Sequence, residues 1–434
     1  MIDERKKLLT YNMRSISIHK NAHTIIIPVL LLSGIGLLMV YSSSVFVSLA
    51  KFGNSFHYLW RHLCNLLIGF TALVLLSRLD YHVIRIFVKP LLILSFILLV
   101  LVFVPGIGVS AGEGSAVRRW INLGFFTFQP SELVKICIVI FMADYISRNA
   151  HKMKEFRSGV IIPLAIMVFY QGIILLQPDF GAVMSIGILT LTLLFIGGMQ
   201  WRYLLGVGAV SIPVVCFLIV SASYRVKRIL CFLDPWRDSQ GCGYQLVQSF
   251  LAFGRGGFTG VGIGDSKQKL FFLPEAHNDF IYSLVGEETG FIGVVIGLGI
   301  FLYLFIKLFR IAMDTDDSFG YYLALGLTTM IVSQALINFA VTIGLMPTKG
   351  LPLPFISYGG SSLLVNLAGV GILISIARNN SSPLQKETFT LSGRKKNMPV
   401  TSLYQYEAFQ GMRSHDRIAE RRRKKFTISS WWEK

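Results

Sequence analysis

The feature that most constrains this chain is a series of apolar segments, each close to the length that crosses a lipid bilayer. A helix needs roughly 20 mostly apolar residues to span the hydrocarbon core, and about ten stretches qualify. Backbone groups that cross lipid must be paired internally, so these segments are predicted to be helices. They lie near residues 24–46, 58–77, 86–104, 131–147, 160–176, 180–198, 202–221, 279–309, 320–345 and 355–378.

The composition agrees with this pattern. Hydrophobic residues make up 53% of the chain and charged residues only 15%, which is too apolar for a soluble globular protein. The predicted fold class is an all-α polytopic membrane protein with about ten transmembrane helices and one large external loop, near 222–278, between helices 7 and 8. The predicted domains are an N-terminal tail (1–23), the membrane domain (24–378) and a basic C-terminal tail (379–434).

The distribution of basic residues predicts the orientation. An even number of spans places both tails on one side, and basic residues concentrate there, as in the run at 421–425. Cytoplasmic segments carry the excess of Lys and Arg, so both tails of this multi-pass protein are predicted to be cytoplasmic. Attraction to anionic membrane lipid explains the basic run more simply than nucleic acid does, so nucleic acid is not a predicted partner.

The predicted external loop is basic and rich in glycine. An anionic ligand and a chance excess of charge on a solvated loop both fit this composition. The run GRGGFTGVGIG at 254–264 lacks the GK[ST] of a phosphate-binding loop, so it predicts close backbone packing. Cys231 and Cys242 share the loop and can pair in an oxidising compartment, which the sequence alone does not decide.

Several charged residues lie at or inside the predicted spans. Glu132 and Lys135 are three apart and share a helix face, which favours a structural ion pair over direct chemistry. Asp179 lies at an external hairpin and either caps the sixth helix or points into a polar cavity. On a regular helix Glu287 and Glu288 would lie about 80° and 180° round from Asp279, so both cannot face what Asp279 faces.

The stretch FLPEAHNDFIYSLVGEETG at 272–290 places Glu275, His277 and Asp279 where a polar loop enters the eighth span. A carboxylate at the rim of a membrane costs free energy unless it is solvated or paired, which favours a functional interpretation. From the residues alone, Asp279 as an N-cap and Asp279 as a catalytic group both remain open. His277 is either a hydrogen-bonded loop histidine or a helper, and Glu275 has no predicted chemistry.

Four blocks carry a resemblance to a known family. They are RRWINLGFFTFQPSELVK, QPDFG, RILCFLDPWRDSQGCGYQLVQSFLAFGRGGFTGVGIGDSKQKLFFLPEAHNDFIYSLVGEETG and PTKGLPLPFISYGGSSLL. They resemble the conserved blocks of the bacterial SEDS (shape, elongation, division and sporulation) family, in order over roughly 24–378. The DPW at 234–236, the PTKGLPLPF form and the long basic tail favour the cell-division member over the elongation member.

The resemblance implies a membrane glycosyltransferase. Such a protein polymerises lipid II into glycan strands on the outer face of the bacterial cytoplasmic membrane during cell division. The implied partners are lipid II, the nascent glycan strand, a class B penicillin-binding transpeptidase and other divisome membrane proteins at the septum. Carried over by position, the catalytic aspartate of the family's PEAHTDF block matches Asp279, with Asn278 in place of threonine. Trp120 matches the RWI block, and Glu132 and Lys135 match the SE..K pair.

The implied reaction needs a base for the 4-hydroxyl of the acceptor sugar and positive charge for the departing undecaprenyl pyrophosphate. Pyrophosphate leaves without a general acid, so one carboxylate suffices and Asp279 is the predicted base. His277 and Trp120 are predicted to contact substrate. The predicted pyrophosphate ligands are Arg118, Arg228, Lys135 and Lys349. A divalent cation, Mg or Mn, could share this work, but no ligand cluster in the sequence identifies a site.

Two other classes of protein remain open on the sequence. A flippase or transporter of lipid-linked precursor would use intramembrane charges such as Glu132, Lys135 and Glu287 as its pathway. A non-catalytic scaffold would recruit division proteins through its tails. The candidate chemistry residues cluster on one predicted face of the membrane, which favours an enzyme.

Overall fold

The computed structural model describes residues 2–380 except 111–116, 123, 125 and 275, and describes only the backbone of residues 2–22 and of Phe271. These residues form α1 (Ile2–Phe52), α2 (His57–Arg78), α3 (Tyr81–Ile84), α4 (Val88–Leu101), α5 (Pro130–Asn149), α6 (Ile162–Leu176), α7 (Phe180–Ile196), α8 (Trp201–Val220), α9 (Ser223–Leu233), α10 (Tyr244–Gly256), α11 (Ile281–Met313), α12 (Ser318–Thr342) and α13 (Gly360–Asn380). The strands are β1 (Gly108–Ser110), β2 (Arg118–Asn122) and β3 (Thr127–Phe128).

Among the described residues, eight helical segments are long and apolar enough to cross a membrane. They are His23–Phe52, His57–Arg78, Tyr81–Leu101, Phe156–Leu176, Trp201–Val220, Ile281–Met313, Ser318–Thr342 and Gly360–Asn380. The helices α5 and α7 occupy the other two predicted positions; α7 is apolar but shorter, and α5 carries four charged residues. The predicted polytopic helical fold is confirmed. The count of ten spans, the side of the large loop and the domain boundaries stay predictions.

Helix boundaries depart from the prediction at two places. The first helix begins at Ile2 rather than near residue 24, because the segment before the apolar span contains no Gly or Pro to interrupt it. The eighth predicted span begins at Ile281, so Asp279 precedes the helix. The angles expected between Asp279 and the two glutamates therefore do not apply. The C-terminal tail from residue 381 lies outside the described residues.

The most enclosed helices are α12 and α13, most of whose residues are buried. α13 packs against α2, and α12 packs against α5 and α11. By contrast, none of the residues of α8, all of which the structure describes, is buried. Gln334 and Asn338 of α12 are among the buried polar side chains, which need internal hydrogen-bond partners.

A small antiparallel sheet, in the order β1-β2-β3, lies between α4 and α5 and was not predicted. Its strands are too short to show a clear alternation of polar and apolar residues. Arg119 of β2 donates hydrogen bonds to the backbone oxygens of Gln177 (3.1 Å) and Pro178 (2.5 Å). These bonds attach the sheet to the connection between α6 and α7, which carries Asp179.

The helix α11 is interrupted at Gly290, whose backbone angles are φ 67° and ψ −168°. The amides of Val261 and Gly262 donate to the carbonyl oxygens of Glu287 (3.0 Å) and Glu288 (3.1 Å). Across the break, the amide of Phe291 donates to the carbonyl of Gly257 at 2.9 Å. The glycine-rich segment 257–262 therefore supplies hydrogen-bond partners to backbone groups that the broken helix cannot pair by itself.

Replacing Gly290 with valine is expected to destabilise the fold. A Cβ atom there would collide with the backbone of Phe258 and Gly260, and the positive φ is unfavourable for a branched residue. The backbone strain alone costs about 1–3 kcal/mol. Thermal unfolding in detergent measures the loss. Gly299→Ala is the matched control, because Gly299 lies in the same helix with no neighbour within 4 Å of an added Cβ; equal unfolding temperatures for both variants would contradict the interpretation.

Candidate functional site

Asp279 lies in the turn that leads into α11, and its side chain is half-buried. Its backbone oxygen accepts a 2.8 Å hydrogen bond from the side-chain amide of Asn338 in α12. A Cβ atom added to Gly350 would lie 3.3 Å from its carboxylate Oδ2. The fold therefore brings the carboxylate of Asp279 against the connection between α12 and α13, which carries Lys349.

His277 is buried among aromatic side chains. Its ring centroid lies 5.1 Å from that of Tyr58 and 5.7 Å from that of Tyr358. The backbone oxygen of His277 accepts a 2.9 Å hydrogen bond from the amide of Tyr358. His277 is therefore held by packing on α2 and by the residues just before α13, two positions from Asp279.

Lys349 is half-buried in the connection that approaches Asp279. Its backbone oxygen accepts a 2.9 Å hydrogen bond from the amide of Leu351, which closes a tight turn around Gly350. Burial lowers the pKa of the Lys349 ammonium group below its usual value, because desolvation disfavours the charged form. The backbone next to Lys349 approaches the Asp279 carboxylate, because a Cβ atom added to Gly350 would lie 3.3 Å from Oδ2 of Asp279.

Glu132 and Lys135 form a 2.8 Å ion pair inside the bundle, with 5% and 2% of their side chains exposed. Lys135 also donates to Oε1 of Gln334 at 3.3 Å. The amide nitrogen of Gln334 in turn donates to the carbonyl of Pro352 (2.8 Å) and to Ser362 (2.7 Å). These contacts connect the ion pair to the α12–α13 connection and engage Lys135 within the protein.

Asp179 is the N-cap of α7, where its Oδ1 accepts a 3.1 Å hydrogen bond from the amide of Ala182. Its other oxygen accepts from the side chains of Gln129 (3.0 Å) and Ser131 (3.4 Å) at the start of α5. Of the two roles considered for this residue, the structure shows the cap. The side chain joins the beginnings of two helices and is buried.

Glu287 and Glu288 are both buried, just before the break in α11. Glu287 accepts from Arg255 (3.1 Å), from the hydroxyl of Ser266 and from the amide of Lys267 (3.0 Å). Glu288 accepts a 2.5 Å hydrogen bond from Ser42 of α1 and lies 3.8 Å from Lys269. Glu287 therefore connects α10 to segment 266–267, and Glu288 connects α1 to Lys269. Both of these contacts lie in the stretch of chain that leads to Asp279.

Three predicted substrate residues lie on other elements. Arg118 and Trp120 belong to β2, where Trp120 pairs with Val109, and Arg228 is exposed on α9. Glu275 lies outside the described residues.

A metal site was left open by the sequence. Within the part of the chain that the structure describes, the single group of three candidate ligands is Cys231, Asp238 and Cys242. The structure joins the two cysteines in a disulfide, which removes both thiolates as ligands.

The contacts of Gln334 and Asn338 were not predicted. Gln334 and Asn338 lie four residues apart on one face of α12, a largely apolar helix, and their side chains are 4% and 1% exposed. A polar pair at that spacing inside a predicted span was the signal available in the sequence. Its partners are backbone carbonyls of distant loops, which the sequence does not identify.

Comparison with known proteins places the chain in a family. The cell cycle protein family of FtsW, RodA and SpoVE matches residues 22–382. A relative from Geobacter sp. (strain M18), named a probable peptidoglycan glycosyltransferase FtsW, is 43% identical over 353 residues, which cover 81% of this chain and 95% of the relative.

Solved structures agree with this assignment. A chain of a peptidoglycan synthase complex, described as coordinating polymerization and crosslinking, matches with a TM-score of 0.65 and 28% identity, covering 82% of this chain and 97% of the other. The rod shape determining protein RodA of Thermus thermophilus matches with a TM-score of 0.58 and 25% identity over the same shares. The predicted SEDS resemblance, closest to the cell-division member, is thereby confirmed: the chain belongs to the FtsW/RodA/SpoVE cell cycle protein family and is FtsW-like.

Proposed function

We propose that this protein is a peptidoglycan glycosyltransferase that polymerises lipid II into glycan strands, with Asp279 as the general base. The observation that carries the proposal is the position of Asp279. Its half-buried carboxylate lies at the entrance to a membrane-length helix and against the segment that carries Lys349. A base and a cation on two segments that meet at one place suit the two charges that develop during sugar transfer.

In the proposed step, the 4-hydroxyl oxygen of the acceptor sugar attacks the anomeric carbon of the donor sugar. Asp279 accepts the hydroxyl proton, and the bond from the anomeric carbon to the pyrophosphate oxygen breaks. Undecaprenyl pyrophosphate leaves with the bonding electrons, so no proton is needed on the leaving group. Lys349 supplies positive charge to the pyrophosphate, and Arg118 and Arg228 are further candidates on β2 and α9.

The contacts of Lys135 favour a structural role over its predicted role as a pyrophosphate ligand. Its ammonium group is engaged by Glu132 and Gln334 and is almost fully buried. His277 and Trp120 remain candidates for substrate contact, with His277 the nearer to Asp279 along the chain. A divalent cation remains an optional contributor to the charge on the pyrophosphate.

We further propose that the protein works at the division septum with a class B penicillin-binding transpeptidase and other divisome membrane proteins. Both tails would be cytoplasmic and the 222–278 loop external. Two comparisons support this pairing. The Geobacter relative is named FtsW, and the matched structure comes from a peptidoglycan synthase complex that coordinates polymerization and crosslinking. Lipid II and the growing glycan strand would then reach Asp279 from the outer leaflet.

Reconstitution in proteoliposomes tests the proposed function against transport. Purified protein with its partner transpeptidase is given labelled lipid II, and glycan polymer and lipid crossing are measured in one preparation. We expect polymer, with no crossing beyond that of empty liposomes. Lipid crossing without polymer would identify a transporter, and neither activity in the presence of the bound partner would identify a scaffold.

The lowered pKa of Lys349 predicts a pH dependence. As pH rises, Lys349 loses its charge before an exposed lysine would, so the polymerisation rate should fall on the alkaline side. Lys349→Arg should lose this decline, because a guanidinium stays charged over that range. Initial rates between about pH 7 and pH 10 check both results. An identical alkaline decline in Lys349→Arg would exclude Lys349 as its source.

The same shift has a consequence for stability. The folded protein binds this proton less tightly than the unfolded chain does, since burial holds the pKa of Lys349 below the ordinary lysine value. The contribution of Lys349 to stability therefore rises with pH between those two pKa values.

A further inference from the structure

We propose that Asn338 is a positioning residue, whose side-chain amide sets the placement of Asp279 relative to the Lys349–Leu351 turn. The inference rests on the proposed function of Asp279. Asn338 lies outside the four blocks that carry the family resemblance. Its position in α12, one of the most enclosed helices, makes it a fixed point for two segments that approach the site from different parts of the chain.

One side-chain nitrogen makes both contacts. Nδ2 of Asn338 donates to the backbone oxygen of Asp279 at 2.8 Å and to the backbone oxygen of Leu351 at 2.8 Å. A carboxamide nitrogen carries two hydrogens, so both are used. Because Asn338 is 1% exposed, water does not compete for these bonds.

A second contact joins the same two segments further along. The amide of Tyr358 donates to the carbonyl of His277 at 2.9 Å. The segment 277–279 is therefore attached to the α12–α13 connection directly at one end and through Asn338 at the other. Two attachments fix the orientation of a short segment better than one, since a single bond still permits rotation.

Gln334 provides a matching support one helical turn away. Its side-chain nitrogen donates to the carbonyl of Pro352, next to the Leu351 carbonyl held by Asn338. Its oxygen accepts from Lys135, which is paired with Glu132. The buried ion pair is thus linked to the α12–α13 connection through Gln334. Of the two amides, Asn338 is the one that also contacts the backbone of Asp279.

Positioning of this kind affects rate more than binding. The Asp279 carboxylate has to meet one hydroxyl group, whereas lipid II is held by many contacts over its length. Displacement of a catalytic group by about 1 Å can cost on the order of 100-fold in rate. Loss of the Asn338 amide is therefore expected to lower kcat and to leave KM nearly unchanged.

The test compares Asn338→Leu, which keeps the size of the side chain without its donors, with Asn338→Gln, which keeps a carboxamide. We expect Asn338→Leu to lower kcat by about 10–100-fold with KM within about twofold of wild type. Asn338→Gln should recover part of kcat, because a donor remains. Thr328→Val is the control: Thr328 is a buried polar residue of the same helix, and its hydroxyl has no partner among the described residues.

Hydrogen–deuterium exchange reports the attachment without reference to activity. In Asn338→Leu, the peptides that contain 277–279 and 349–351 should exchange faster together, while Thr328→Val should match wild type. A wild-type kcat for Asn338→Leu, or a raised KM with kcat unchanged, would overturn the positioning role. If wild-type protein makes no glycan at all, the proposed function fails by itself, and the exchange data still show whether Asn338 joins the two segments.

Discussion

Asp279→Asn is expected to reduce the rate of lipid II polymerisation by about 10²–10⁴-fold, the usual contribution of a positioned general base. The substitution keeps the size of the side chain and leaves the backbone hydrogen bond from Asn338 intact, since that bond uses the carbonyl of residue 279. Folding and binding of the partner transpeptidase should therefore be preserved. Initial rates of glycan formation, with the partner present at saturating concentration, measure the effect.

A charge-matched control distinguishes loss of the proposed base from loss of one negative charge near the external loop. Asp265 is an exposed aspartate in the same predicted loop, so Asp265→Asn removes one negative charge without touching the proposed site. We expect this variant to polymerise at the wild-type rate. Equal losses for Asp265→Asn and Asp279→Asn would mean that loop charge, and not a base at Asp279, limits the reaction.

Glu132→Ala is expected to have the largest effect on stability, because it leaves the ammonium group of Lys135 buried without its ion-pair partner. Removing one member of a buried pair typically costs about 3–5 kcal/mol. The loss should appear as a lower unfolding temperature in detergent. Glu132→Leu combined with Lys135→Met replaces the pair with apolar side chains and should recover most of the stability.

The double variant also decides between the two roles considered for Lys135. A residue that only closes an ion pair can be replaced together with its partner, so the stable double variant should keep most of its polymerisation activity. A pyrophosphate ligand cannot be replaced in this way. A double variant that is stable and binds its partner, yet polymerises no lipid II, would support the role of Lys135 as a pyrophosphate ligand.

The spans were predictable because bilayer crossing is encoded locally, by roughly 20 apolar residues in succession. The break at Gly290 was not, since a single glycine inside a predicted span does not by itself interrupt a helix. Its cause lies in segment 257–262, whose amides pair with the carbonyls of Glu287 and Glu288. The glycine run predicted close packing correctly, but its packing partner depends on tertiary structure.

In the candidate site, too, the residues were predictable from local sequence and the contacts between segments were not. Asp279 was predicted from its block and its place at a membrane boundary, and Lys349 from the sign of its charge and its side of the membrane. The contact between their two segments spans about 70 residues of sequence and depends on Asn338, which no local pattern connects to either. The pyrophosphate role predicted for Lys135 rested on the sign of its charge and its side of the membrane, whereas the structure shows its burial and its pairing with Glu132.

The dependence of the polymerisation rate on pH, measured for wild type and Asp279→Asn under single-turnover conditions, tests the central claim most directly. If Asp279 is the base, the wild-type rate falls about tenfold per pH unit once the solution is acidic enough to protonate the carboxylate. The small residual rate of Asp279→Asn should then be independent of pH over the same range. An acidic decline of the same shape in Asp279→Asn would show that another group takes the proton, and would contradict the proposal.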